Sequence, residues 1–455
     1  MKWKYVLIGI ILFLLISSIV ILIKYPGLIP DNELKKSEQY SLSTFNSTHM
    51  TDSSLKVEKL YSDLSNPTKM TFIGNDLLIA EKNSGKIILL KNLEVENNSI
   101  LDLQVESFGE RGLVGLSSSI IEENSFVFVY YTISHNDDDA YSNWFSTNLK
   151  NNGGSILVRY NLIDNALVNP KILLHPIPLS NSIHQGGSMV TYNDLVFLGV
   201  GDNDEDPSPL TNSDVNNELL GMGAGIFSIT YDGNPNPENP FLEDKLKNYF
   251  AYGIRNTYGM SIDPLTGNLW NSENGPSEFD EINLVFSGFN SGWSKIVGPS
   301  NEGLFNGNST NLIFFDGANY AEPKFSWKQP IAPTGLEFFK SKNFGISYEN
   351  NLLVGDIHGN VYRFQLNQER NELIFPNGNL TDNISDTFKE SEQIIIGKNF
   401  GLITDIKTGP DGNLYILSLH HSDSKPGLIE HYELISGGTP EPEIMHGALF
   451  KISHK

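Results

Sequence analysis

A turn-forming residue pair followed by a short apolar run recurs six times along the chain. It reads NDLLIA at Asn75, NSFVFV at Asn124, NDLVFL at Asn193, GNLWNS at Gly267, NNLLVG at Asn350 and GNLYIL at Gly412. Asn-Asp, Gly-Asn and Asn-Asn pairs favour tight turns, and the runs are rich in strand formers. Each run is followed by a second apolar strand, usually opened by Gly: GKIILLK at Gly85, GSILVRY at Gly154, GIFSITY at Gly225, DEINLVF at Asp280, GNVYRFQL at Gly359 and GALFKI at Gly447. No convincing amphipathic helix longer than three turns follows Ile23, which argues against parallel βαβ architecture. The expected fold class is all-β: a six-bladed β-propeller whose blades cover one another's apolar faces. Two stacked sandwiches are the alternative. In a propeller, sites lie on loops at one mouth of the channel, so the long inserts carry the chemistry.

Composition narrows the partners. Apolar residues make up 39% of 455, enough for a substantial core. Cysteine is absent, which excludes disulfides, thiolate metal sites and cysteine nucleophiles. A formal charge of -23 repels nucleic acid and other polyanions and suits small neutral or cationic partners.

The amino end suggests a compartment. Tyr5 to Ile23, YVLIGIILFLLISSIVILI, is an uncharged stretch of 19 residues, about the length of a membrane-spanning helix. A cleaved signal peptide needs a shorter apolar core and a small-x-small site, which KYPGLIP does not offer. A buried core helix is rarely so uniformly apolar. Lys2 and Lys4 before the run favour the amino end inside. The expectation is a single N-terminal transmembrane helix over 1–24, a flexible tether over 25–54 and the propeller over 55–455. It places the protein at the cell membrane, single-pass, with its C-terminal domain extracytoplasmic. Five Asn-x-Ser/Thr triplets, at Asn46, Asn97, Asn308, Asn379 and Asn383, suit an external chain but carry little weight in an Asn-rich sequence.

Four loop segments stand out: Phe108–Ser117 (FGERGLVGLS), Ile183–Asp204, Tyr252–Trp293 and Pro330–Phe339 (PIAPTGLEFF). His184 opens a Gly-Gly loop, where a near-neutral imidazole suits a general base; a surface histidine is the competing reading. Arg255 and Asn256 offer a guanidinium fork for planar oxygen arrays, or simply tie loop carbonyls together. The stretch from Glu273 through Gly275 and Pro276 to Glu281 is rich in hard oxygen donors. Asp202, Asp204, Glu205 and Asp206 read as a solvated acidic loop, and His420-His421 as surface.

Together the four segments resemble the soluble PQQ-dependent glucose and aldose sugar dehydrogenases, the glucose/sorbosone dehydrogenase family, over roughly Leu55 to Lys455. The resemblance implies a six-bladed propeller with PQQ and calcium at the top of the channel. It implies that His184 is the catalytic base, taking the sugar's hydroxyl proton while hydride passes to the quinone. It places Arg255 and Asn256 on the cofactor, with Arg255 polarising its reactive carbonyl. It puts calcium on the backbone carbonyls of Gly275 and Pro276. Glu110 stands where glucose-specific members have Gln.

The chain also departs from the family pattern. His358 occupies the place of a cofactor-binding Lys. Leu402 and Thr404 fill the positions of an Arg-x-Arg pair before GPDG. A charge-assisted hydrogen bond contributes about 1.5–3 kcal/mol, so these losses weaken anion binding. The expected function is therefore a membrane-anchored quinoprotein that oxidises aldose sugars to lactones and passes electrons to an acceptor the sequence does not name. The alternative is a non-catalytic cell-surface propeller that binds a sugar, calcium or protein.

Overall fold

The computed structural model describes residues 48–134, 154–178, 181–203, 209–213, 223–241, 246–303, 309–375, 377–420 and 446–455. By contacts the chain divides into Met1–Ser47 and Thr48–Lys455; the described residues all belong to the second unit.

The described strands form six sheets. Pro67–Ile73, Asp76–Glu81, Lys86–Lys91 and Glu94–Asp102 build one antiparallel meander. Leu113–Ile121, Asn124–Thr132, Gly154–Ile163 and Ala166–Pro178 build the next. The third starts with Met189–Tyr192, the fourth with Thr257–Ile262 and the fifth with Pro333–Phe338. The last begins with Leu402–Thr408 and takes Leu55–Ser65 as its outer strand, paired to the C-terminal His446–His454. The first long strand and the last strand thus share one sheet, which joins them by backbone hydrogen bonds.

The first strand of each sheet packs beside the first strand of the next. Pro67–Ile73 touches Leu113–Ile121, which touches Met189–Tyr192. Contacts continue through Thr257–Ile262, Pro333–Phe338 and Leu402–Thr408 back to Pro67–Ile73. Sheets so arranged bury both faces, and the strands read accordingly: Leu77, Leu78, Ile79 and Ala80 are all fully buried, although successive residues point to opposite faces. Each fully buried aliphatic side chain contributes roughly 1.5–3 kcal/mol. The repeated turn pairs do what their residue types dictate. Asn193 and Asp194 both take positive φ, 46° and 62°, in a two-residue hairpin with Tyr192 opposite Leu195.

The all-β propeller reading fits, but the expected architecture is corrected on two counts. First, the sheets are not six like antiparallel modules. Three have four strands; the others have five, five and six, enlarged by His49–Met50 and by the parallel additions Phe289–Asn290, Asn319–Tyr320 and Ile384–Ser385. The long inserts between strands supply these additions, because they must bond their own backbone groups somewhere. Second, no helix among the described residues is long and apolar enough to cross a membrane. The stretch expected to do so, residues 5–23, lies outside the described residues, as does most of the tether. The cell-membrane, single-pass localisation is therefore withdrawn.

Candidate active site

Loops that enter the innermost strands meet at one place. The loop before Leu113–Ile121 is clipped to the loop before Met189–Tyr192: the Glu110 amide donates to the Ser182 carbonyl (2.8 Å), and Arg111 Nη2 to the Asn181 carbonyl (3.2 Å). The second loop carries His184-Gln185-Gly186-Gly187. A Cβ on Gly186 would lie 2.4 Å from the Gly199 carbonyl oxygen, and one on Gly187 2.5 Å from that of Val114. Both residues also have positive φ, so only glycine lets this loop press against its neighbours. His184 itself is held at φ 53°, a strained value for a non-glycine residue.

His184 is buried, at 8% exposure, and its partners define its chemistry. Nδ1 lies 2.6 Å from Asp202 Oδ1. The other oxygen of Asp202 accepts from Trp293 Nε1 at 2.8 Å, and the Asp202 amide donates to the Arg255 carbonyl at 2.8 Å. With Nδ1 engaged, Nε2 is left without a protein partner among the described residues and is the nitrogen able to take a proton. Asp202, read from sequence as solvated, is thus a buried partner of the histidine; Asp204, Glu205 and Asp206 lie outside the described residues. The Asp at position 202 lies eighteen residues beyond the His, and no local pattern links the two. They meet because one precedes and the other ends the same hairpin.

Glu110 reaches the backbone of His184 and Gln185. Its carboxylate accepts from the Gln185 amide (3.3 Å). Burial pushes its carboxyl above the usual range, while the His184 and Lys82 charges pull it back. Two acidic side chains, Asp202 and Glu110, thus lie near His184.

Arg255 faces the next loop. Its Nη1 donates to the carbonyls of Asn274 (3.0 Å) and Gly275 (2.8 Å), and its guanidinium lies 5.4 Å from the Trp293 ring. Among the described residues no protein acceptor binds its Nε or Nη2. Asn256 is buried, with Oδ1 unpartnered. Beneath this loop lie three carboxylates. Asp280 accepts from the amides of Gly275, Ile331 and Ala332, and burial raises its pKa to about 6. Glu273 and Glu281 sit opposite one another across the sheet, and burial raises them to about 7 and about 8. A small cavity opens here, lined by Glu273, Glu281, Gly275, Pro276 and Trp293 among others.

Two expected ligands fare differently against this geometry. Arg255 fits one edge of a planar anionic quinone, because its guanidinium has donors to spare; the unpartnered Oδ1 of Asn256 is an acceptor and suits a hydroxyl instead. An ion on the backbone carbonyls of Gly275 and Pro276 would have to share the first of them with Arg255. The Gly275 oxygen already accepts from a guanidinium, which would repel a divalent ion. Among the described residues no group of three or more His, Asp or Glu is placed to hold a metal. The departures noted in the sequence have structural counterparts. Leu402 and Thr404 are buried, and Thr404 Oγ1 donates to the Leu417 carbonyl (3.3 Å). His358 is an exposed turn residue beside the Phe388 ring, with no contact to His184, Arg255 or Glu110. Arg363 stacks 4.5 Å from the Tyr348 ring, and Lys407 bonds Asp405 at 3.1 Å.

The Glucose / Sorbosone dehydrogenase family matches residues 64–428. The chain belongs to that family. Among curated relatives, the aldose sugar dehydrogenase of Escherichia coli K12 is 27% identical over 244 residues, 53% of this chain and 58% of the relative. The quinoprotein glucose dehydrogenase B of Acinetobacter calcoaceticus is 26% identical over 247 residues, 49% of each chain. The matched stretch thus spans only about half the length of these relatives. Solved family members share the fold. The soluble aldose sugar dehydrogenase of E. coli in its apo-form superposes with a TM-score of 0.62 at 22% identity, over 88% of this chain and 100% of that one. The PQQ-bound aldose sugar dehydrogenase of Streptomyces coelicolor does so at 0.57 and 19%, over 88% and 98%.

Proposed function

We propose that the chain is a quinone-dependent dehydrogenase of aldose sugars, with His184 as its base. The observation that carries this reading is the His184–Asp202–Trp293 relay. It fixes one imidazole nitrogen and leaves the other free at a mouth that also holds Arg255. A hydroxyl placed at Nε2 gives its proton to His184, and Asp202 offsets the charge that forms. PQQ, when bound, supplies the hydride acceptor that turns the sugar's anomeric carbon into a lactone carbonyl. Arg255 would hold its edge, and the unused N–H groups of Arg255 stabilise negative charge developing on an adjacent oxygen. The family membership and the names of the relatives support this reading, and the electron acceptor is left open. Domain limits of 55–455 for the catalytic unit are proposed with it.

A second reading rests on one observation: Leu402 and Thr404 present no cation where family members bind the cofactor's carboxylates. On this reading the propeller binds a sugar or a protein without redox chemistry. One experiment separates the two. Protein incubated with PQQ is assayed for dye reduction with an aldose, beside a His184→Ala variant. The first reading expects turnover that drops by 100-fold or more in the variant, since a positioned base contributes about 10²–10⁴. Absence of turnover in the parent, with sugar still raising Tm, supports the second.

A further inference from the structure

Lys69 crosses the central channel. It sits on the innermost strand Pro67–Ile73, and its Nζ donates to the Tyr258 carbonyl at 2.9 Å and lies 4.3 Å from the Tyr258 ring centroid. Tyr258 belongs to Thr257–Ile262, which lies opposite Pro67–Ile73 in the ring of inner strands, since each touches a different pair of neighbours. Lys69 is 6% exposed and makes no ion pair among the described residues. Its only hydrogen-bond partner there is that carbonyl, so two of its three N–H donors are unused. The groups around it are Asp405 and Lys407, already bonded to one another, with Glu110 acting on the Tyr258 it touches. Burial lowers its pKa to about 8, although the charge of nearby Asp405 pulls it back up.

A charge buried this way is costly unless something uses it. Tyr258 follows Asn256 by two residues, a backbone reach of at most about 7 Å. The ammonium is therefore held just inside the mouth, beneath the Arg255–Asn256 pair. We infer that Lys69 receives an anionic group of the ligand and supplies positive charge that Leu402, Thr404 and His358 do not. The ligand chemistry is a carboxylate on a planar ring system. This inference rests on the quinone reading above, since it assigns a residue to hold that group.

The test is a spectroscopic titration of the full chain with PQQ, with Tm measured on each ligand-free protein. Lys69→Met is expected to bind PQQ at least tenfold more weakly with a ligand-free Tm equal to or above the parent's, and Lys69→Arg is expected to bind within a few-fold of the parent. A purely structural lysine would lower Tm along with affinity. Equal PQQ affinity in Lys69→Met, or a loss in Lys69→Arg as large as in Lys69→Met, overturns the assignment and leaves the quinone reading standing. No PQQ binding by the parent overturns both.

Discussion

His184 Nδ1 and Asp202 Oδ1 lie 2.6 Å apart, and Trp293 Nε1 holds the second oxygen of the same carboxylate. This pairing fixes the tautomer of the imidazole and its orientation. Asp202→Asn keeps the shape but gives Nδ1 a weaker partner that can donate as well as accept, leaving the wrong nitrogen free to accept a proton. Turnover is expected to fall by about 10²–10⁴ with PQQ affinity unchanged. Steady-state dye reduction beside a PQQ titration checks this; a parallel loss of both would assign Asp202 to binding.

Trp293→Phe removes one donor to Asp202 while keeping a ring beside Arg255. It removes one hydrogen bond to a buried carboxylate, a cost of about 1–3 kcal/mol. Stability is expected to fall by that amount in urea denaturation. Activity is expected to fall less than in Asp202→Asn, because the His184 bond remains.

Arg255 bonds two loop carbonyls and keeps donors free for a ligand. Arg255→Lys supplies charge without the planar fork, so it does not restore binding. PQQ affinity is expected to drop at least 30-fold in Arg255→Lys and further in Arg255→Ala. Retention of parent affinity in Arg255→Ala would limit Arg255 to tying the loop.

Glu110→Gln removes a buried carboxylate that burial already pushes towards its neutral form. Less negative charge at the mouth is expected to tighten PQQ binding several-fold near neutral pH. Binding measured from pH 5 to 8 checks it: the difference between parent and variant shrinks towards the acid end as Glu110 gains its proton.

Lys69 sets a pH dependence of stability whose sign follows from its lowered pKa, about 8 against 10.5 for an ordinary lysine. Below pH 8 it is charged in both folded and unfolded chains, and folding bears the full burial cost. Between about 8 and 10.5 the folded form loses its proton first, so the unfolded chain binds more protons and stability rises with pH. Lys69→Met is therefore expected to be more stable than the parent at pH 7, by on the order of 1–3 kcal/mol. That advantage fades towards pH 10.5. Denaturant melts at pH 7, 9 and 10.5 give the comparison.

Much of the fold was legible because its grammar is local. Asn193-Asp194 announces a hairpin on its own, and the two-sided burial of Leu77 to Ala80 shows as an unbroken apolar run. The strands added by inserts were not legible, since Phe289–Asn290 and Ile384–Ser385 have only two residues each and owe their pairing to distant chain. The site was half legible. His184, Glu110 and Arg255-Asn256 announce themselves by type and loop context, whereas Asp202 looked like one acid among four. Lys69 gave no signal at all. On its strand it alternates with apolar residues as a solvent-facing lysine would, and only closure of the ring turns that face into a channel. Sequence also does not carry which donor reaches a given carbonyl: Arg255 Nη1 bonds that of Gly275.

The proposed reaction turns on His184 taking the proton of a sugar bound beside a quinone. Rapid mixing of PQQ-loaded protein with an aldose, followed by the absorbance of bound PQQ, tests it most directly. Reduction of the cofactor is expected in the parent, slowed at least 100-fold in His184→Ala at unchanged PQQ occupancy. Equal rates in parent and variant, or a fully loaded parent that no aldose reduces, would contradict it.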